Sequence, residues 1–321
     1  MPNWGWASGP RQGITDAESS AVNANQRIPV VLITGASAGL GLALTRLLLL
    51  KSGPWRLILT ARRESLDRFA ALGIREHDHL LLRPLDVSEP AERQAVVQEA
   101  DDRWGGVDIL VNNAGVAYRA VCEHVTDADQ LEQLNVNYRG PMDLIRLVLP
   151  RMRERRDGRI LNVSSVGGMM AMPTMDLYSA SKFALEGATE ALWYEVRPFG
   201  IHVTLVQPGF INSESFHNTR HTRLSESAVS DPANPYHTHY ARMAGFIARL
   251  MEHTRSSPED VARRMLRAMR SRRPPLRLAA TEDAHLFAWL RRLLPRRLYH
   301  EILYRSLPGV RHWGRPPAIG H

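Results

Sequence analysis

The sequence has almost no cysteine and almost no lysine. Its one cysteine, Cys122, cannot form an internal disulfide or build a cysteine metal site, and such sparing use suits a reducing compartment. Of 41 cationic residues only Lys51 and Lys182 are lysines; a chain this committed to arginine makes its two lysines worth examining. Long apolar runs are missing as well. The longest near the start, Leu47 to Leu50, is far short of the ~20 residues that cross a bilayer, and Met1 to Gln26 lacks the apolar centre of a signal peptide. The expected location is the cytoplasm.

What is present is a packed-domain composition: 321 residues, 44% hydrophobic against 23% charged, which excludes a disordered chain. Short apolar runs alternate with amphipathic stretches. Strands are expected at 29–34, 56–61, within 80–87, and at 108–112, 159–164, 201–207 and 276–280. Helices are expected over 39–50, 64–72, 90–104, 128–155, 177–197 and 258–271. This alternation predicts an α/β fold, a Rossmann-type doubly wound parallel sheet flanked by helices, with a C-terminal helical extension. The expected organisation is an N-terminal extension over 1–27, one domain over 28–282 with a covering segment at 213–257, and a helical tail over 283–321 broken at Pro295.

The net charge of +8 is concentrated in that tail region, where arginines from Arg263 to Arg315 interleave with leucines and aromatics. Basic charge alone is the weakest sign of nucleic-acid binding, and no nucleic-acid partner is expected. A solvated helix face and an interfacial membrane-binding helix both fit the interleaving, so peripheral membrane contact through the tail stays open.

The first strand runs into Thr34-Gly35-Ala36-Ser37-Ala38-Gly39-Leu40-Gly41. Gly35 permits a tight turn, Gly39 lets backbone approach a pyrophosphate, and Gly41 lets the helix pack close to the sheet. The free N–H groups and positive dipole end of the helix then face the phosphates, with Ser37 and Leu40 in the same turn. At the tip of the second strand, where a carboxylate would bond the ribose 2′-hydroxyl of NAD(H), stand Arg62 and Arg63. A guanidinium fork suits a 2′-phosphate, so NADP(H) is favoured over NAD(H), with Glu64 one step on pulling the other way.

Tyr178 and Lys182 lie four residues apart and therefore share a helix face. A phenol titrating near ~10 is a poor proton donor and acceptor at neutral pH, and a neighbouring ammonium should lower it. Lysine fits that role better than arginine. Ser165 or its neighbour Ser164, at the end of the fifth strand, can polarise a carbonyl oxygen; Asn137, or Asn135, lies in the helical stretch before it. Histidines 217, 221, 237 and 239 lack carboxylates at ligand spacing, and no metal is expected.

The TGxxxGxG octet, the Tyr-x-x-x-Lys pair, Asn112-Asn113-Ala114-Gly115, Asn137-x-x-Gly140 and the serine thirteen residues before the tyrosine together resemble the short-chain dehydrogenase/reductase family, over about 28–213. The resemblance implies an oxidoreductase interconverting carbonyl and alcohol. It makes Ser165 the catalytic serine, has Asn137 hold a water between Lys182 and solvent, and gives Lys182 a further contact with the nicotinamide ribose. It also sets Asp86 and Val87 against the adenine, lines the ribose with Asn113, Ala114 and Gly115, and places Pro208, Gly209, Ile211 and Ser213 at the carboxamide. Ser213 stands where the family carries threonine. A homo-oligomer is implied too.

Residues 181–187 and Pro198-Phe199-Gly200 resemble the branch of 17β-hydroxysteroid and retinol dehydrogenases. A lipophilic substrate is therefore expected: steroid-like, retinoid-like or long-chain. Phe216, Tyr236, Tyr240, Met243, Phe246 and Ile247 either line its pocket or pack helices. Two other readings stand: a 3-oxoacyl thioester or 3-ketosphinganine-type reductase, and a non-catalytic NADP(H)-binding sensor or scaffold.

Overall fold

The computed structural model describes residues 27–51, 53–211 and 219–314. Strand β1 (Val30–Ile33) shows why the sheet is central: all four residues are buried. Val30 and Leu32 point into one helix layer, Val31 and Ile33 into the other. With both faces covered, the strand reads as a continuous apolar run rather than an alternating one. The remaining strands are β2 (Arg56–Ala61), β3 (Leu80–Pro84), β4 (Ile109–Asn112), β5 (Gly158–Val163), β6 (Ile201–Gln207) and β7 (Arg277–Ala279). All pair in parallel, in the order β3-β2-β1-β4-β5-β6-β7. Val31 is flanked by Leu57 of β2 and Ile109 of β4, so the winding changes direction beside β1. Ligands bind at such a switch point, outside the carboxyl ends of the strands.

The helices are α1 (Gly39–Lys51), α2 (Asp67–Ala71), α3 (Pro90–Trp104), α4 (Asp127–Leu134), α5 (Gly140–Arg155), α6 (Asp176–Val196), α7 (Arg223–Ser230), α8 (His237–His253), α9 (Pro258–Arg270), α10 (Glu282–Leu293) and α11 (Arg296–Ser306). On one face of the sheet, Leu44 and Leu48 of α1 pack with Met265 and Met269 of α9. Val96 of α3, Leu144 of α5 and Leu192 of α6 fill the other. Truncating a fully buried leucine here, such as Leu144, costs about 2–5 kcal/mol. α9 starts at a capping box in which Ser257 and Asp260 exchange hydrogen bonds.

One expected element differs. The single helix over 128–155 is α4 and α5 joined by a π-helical turn, Asn135–Arg139. A Cβ at Gly140 would stand 2.5 Å from the Val87 carbonyl, so only glycine allows α5 to start so close to the sheet edge. The wide π turn before it carries Asn137 inward to complete burial. The third strand lies within 80–87 as expected and ends at Pro84, which leaves Leu85 to Val87 free of the sheet to line the cleft. The tail does break at Pro295, between α10 and α11. Residues 1–26 and 315–321 of the expected extensions lie outside the described residues.

Candidate active site

At the carboxyl ends of β1, β2, β4 and β5 opens a cleft of about 770 Å3. The glycine turn forms its floor. Gly35 and Gly39 have φ of +63° and +52°, a backbone conformation that glycine adopts without strain. A Cβ at Gly41 would lie 2.2 Å from the Gly35 carbonyl oxygen, so the first turn of α1 could not close against the loop with any other residue. The Asn113 amide donates to the carbonyls of Thr34 and Gly35, both at 3.0 Å. Thr34 Oγ1 in turn accepts from the N–H groups of Asn113 and Ala114 at 2.9 Å. Deeper in, Asn112 donates to Asn162 at 2.8 Å, and Asn162 to Thr189 of α6 at 2.9 Å. One chain of side-chain amides thus fixes β1, β4, β5 and α6 relative to one another, and the turn fits a pyrophosphate.

Ser37, Leu40, Arg62, Asp86, Val87, Asn113, Ala114 and Gly115, all expected at the cofactor, line the cleft, as do Pro208, Gly209 and Ile211. Gly39 and Gly41 shape it from beneath. Arg63 does not reach it: 75% exposed, it pairs with Glu92 at 3.6 Å on the far side of α3's start. Ser65 and Arg68, which the sequence reading passed over, line the cleft beside Arg62 instead. A 3-10 turn at Arg63–Ser65 sets this phase, and Ser65 and Arg68, three apart, then share a face. Glu64 is turned to solvent and holds Arg62 Nε at 3.1 Å. Ser213 lies outside the described residues.

The expected catalytic groups converge. The hydroxyl of Ser165 and the ring of Tyr178 meet over Gly167, where an added Cβ would stand 3.4 Å from the first and 3.0 Å from the second. Ser164 lines the cleft but is 2% exposed, its hydroxyl committed to Glu186 at 2.8 Å, whereas Ser165 Oγ accepts only from Gly167 N–H at 3.0 Å; that commitment distinguishes the two serines. Lys182 Nζ lies 5.8 Å from the Tyr178 ring centre and donates to the Val163 carbonyl at 3.0 Å. Asn137 accepts from Val116 N–H at 2.9 Å and donates to Ser181 at 3.0 Å. A Cβ at Gly115 would stand 3.2 Å from Asn137 Oδ1 and 3.6 Å from Lys182 Nζ, so the glycine of the Asn-Asn-Ala-Gly run leaves both groups their space.

Burial governs the protonation of this pair. It pushes the Lys182 ammonium down from 10.5 to about 8, with the nearby Glu186 carboxylate opposing. It also holds the Tyr178 phenol above its ordinary value, against the Ser165 hydrogen bond, which lowers it. The expectation was of a phenol lowered by the ammonium; burial instead sets the direction, with only Ser165 opposing it. The phenol is therefore a protonated donor at neutral pH.

Glu186 was not singled out from sequence. Buried one helical turn beyond Lys182, it accepts from Ser164 and Gln207, both at 2.8 Å, and pairs with Arg277 of β7. On the substrate side, where sequence left pocket lining and helix packing both open, most of the described candidates pack. Tyr240 is buried, its hydroxyl accepting from Val121 N–H at 2.9 Å, and Met243 sits in the core with Phe210. Of the six candidates only Ile247 lines the cleft, joined by Met172, Met175 and Met251; Phe216 is outside the described residues. At the mouth, Arg220 pairs with Glu132, and both line it.

Comparison with known proteins agrees with this geometry. The sequence profile of the family described as short chain dehydrogenase matches residues 29–224. A 3-ketodihydrosphingosine reductase of Bacteroides thetaiotaomicron is 37% identical over 184 residues, 57% of this chain and 64% of that relative's length. Human 17-beta-hydroxysteroid dehydrogenase type 1 is 32% identical over 270 residues, covering 79% of this chain and 77% of the relative. Among solved structures, a short-chain dehydrogenase from Streptomyces avermitilis superposes with a TM-score of 0.70 at 31% identity, over 87% of this chain and 99% of its own.

Proposed function

This chain belongs to the short-chain dehydrogenase family, and from that premise we propose that it reduces or forms a carbonyl on a lipophilic substrate with NADP(H) as its cofactor. The reading rests above all on one observation: Tyr178 lies beside both Ser165 and Lys182 in the cleft that the glycine turn floors.

The bound dinucleotide supplies the hydride for reduction and takes it up in oxidation. Its pyrophosphate would rest on the turn from Gly35 to Gly41, its adenine on Asp86 and Val87, and its 2′-phosphate between Arg62, Ser65 and Arg68. Asn113, Ala114, Gly115, Pro208, Gly209, Ile211 and Ser213 would complete its site. In reduction Tyr178 gives its proton to the substrate oxygen. Ser165 donates to the same oxygen as negative charge grows there. The Lys182 ammonium stabilises the phenolate left behind, and Asn137 ties Val116 to Ser181, the neighbour of Lys182. Oxidation runs each transfer backwards.

Met172, Met175, Ile247 and Met251 support the lipophilic substrate, since thioether and aliphatic side chains accept varied apolar shapes. A long-chain amino ketone of the 3-ketosphinganine type is the second reading, favoured by the resemblance to the Bacteroides reductase. The test is turnover with NADPH and with NADH over steroids, retinal, long-chain aldehydes, a long-chain 3-keto amine and β-ketoacyl thioesters. The proposal expects NADPH to be preferred and apolar ketones or aldehydes to be reduced. No turnover of any of them, with the dinucleotide still bound, would leave a cofactor-binding scaffold.

A further inference from the structure

Helix α10 is apolar on two opposite sides. Ala284 and Phe287 face inward, Phe287 packing on the cluster of Phe210, Met243 and Ile247. At 100° per residue, Leu286, Trp289 and Leu293 fall on the reverse side. They are 53%, 60% and 55% exposed. On the next helix Tyr299 is buried, while Leu298 and Ile302, one turn apart, flank it and are open to solvent. Of the fifteen large hydrophobic residues exposed among the described residues, six fall between Leu286 and Tyr304. A helix at rest on a protein surface keeps its outer face polar; an outer face like this one marks a contact site.

Charge identifies the partner. Between Leu286 and His300 there are four arginines and no carboxylate, and the next carboxylate, Glu301, is paired with Arg305 at 2.7 Å. Arg291 turns inward, donating to the Met169 carbonyl and lying over the Phe183 ring. Arg292, Arg296 and Arg297 are exposed beside the apolar residues. A second copy of the chain is a poor occupant, because two-fold pairing would set the same cations against each other. A surface that is apolar beneath and anionic on top suits both halves of the patch.

We infer that the outer faces of α10 and α11 dock on an anionic lipid bilayer, with Leu286, Trp289 and Leu293 below the headgroups and Arg292, Arg296 and Arg297 among the phosphates. Among the described residues no helix is long and apolar enough to cross a membrane, so the helices would lie in its plane. Docking itself does not depend on the reaction proposed above. If that reaction holds, the arrangement has a use: Phe287 shares its cluster with Met172, Ile247 and Met251 of the cleft wall, so the docked helix backs the substrate side of the cleft.

The test is co-sedimentation of the full chain with phosphatidylcholine vesicles and with vesicles containing about one third phosphatidylglycerol. At low salt the anionic vesicles should retain the protein at least tenfold better, with the preference fading at high salt. Leu286→Ser, Trp289→Ser and Leu293→Ser combined should release it, with melting temperature and turnover of a water-soluble ketone unchanged. Arg292→Glu, Arg296→Glu and Arg297→Glu should erase the anionic preference, about fivefold for each arginine lost. No retention on anionic vesicles would overturn the inference. So would retention that the triple serine variant does not reduce, or a triple variant whose only change is from dimer to monomer on size exclusion. Failure of turnover with vesicle binding intact would sink the reaction and leave the docking.

Discussion

The two halves of the cleft are made in different ways. The cofactor half consists of strand tips, and its side chains are tied to backbone a few ångströms away: Asn113 to Thr34 and Gly35, Lys182 to Val163. The substrate half takes its wall from α8 and the loop before α6, where Met172, Met175, Ile247 and Met251 line the cleft and the hydrogen bonds, such as Val121 N–H to Tyr240, tie helix to loop and not to the sheet. The first half is over-determined; the second can change its lining without disturbing the sheet. That division explains how one cofactor chemistry can serve many substrates.

Four changes would sharpen or break that contrast. Arg62→Asp, which puts a carboxylate where the 2′-phosphate would lie, should have the largest effect. About 1.5–3 kcal/mol for a charged hydrogen bond corresponds to roughly 10- to 100-fold lost in NADPH efficiency, with NADH less affected. A variant that keeps its preference for NADPH would move the 2′-phosphate away from Arg62. Gly41→Ala should raise the KM for the dinucleotide about tenfold and lower the melting temperature, because the added Cβ meets the Gly35 backbone, which cannot give way. An alanine variant binding NADPH like the parent would mean that the turn is looser than it looks.

The third change is pH. With Lys182 depressed to about 8 and Tyr178 raised above its ordinary value, the ammonium is lost first as pH rises. Below about 8 both protons are in place, so reductive kcat/KM should be level there and fall by up to about tenfold per unit above it. Glu186→Gln removes the carboxylate that holds the ammonium charged, and the fall should begin at lower pH. An identical profile in that variant would show that Lys182 does not set it. The smallest effect belongs to the substrate half: Met251→Ala should cost a lipophilic substrate about threefold to tenfold in KM, roughly 1 kcal/mol of lost apolar contact, and leave NADPH binding unchanged. Equal losses for both ligands would erase the distinction between the halves.

The same contrast separates what could be read in sequence from what could not. Strand β1, the glycine turn and the Tyr178–Lys182 pair depend on spacing within a dozen residues, and local periodicity carries them. The choice of Arg62 and Arg68 over Arg63 depends on the phase of one 3-10 turn, which no apolar pattern encodes. Asn137 was found by its motif, but the π turn that buries it depends on Gly140 meeting Val87, more than fifty residues earlier. Glu186 needed Arg277, 91 residues later, to be recognised as more than a surface carboxylate. Tyr240 and Met243 stay open between pocket and core in sequence because an aromatic or methionine at helical spacing serves both; only the packing of α8 shows which way each one faces.

The central claim is that the Tyr178 phenol moves the proton while the dinucleotide sits independently in its cradle. Steady-state reduction by Tyr178→Phe, measured beside NADPH binding to the same preparation, tests it most directly. The account predicts kcat down by about a thousandfold or more with dinucleotide affinity within a few-fold of the parent. A phenylalanine variant turning over within tenfold of the parent would contradict it.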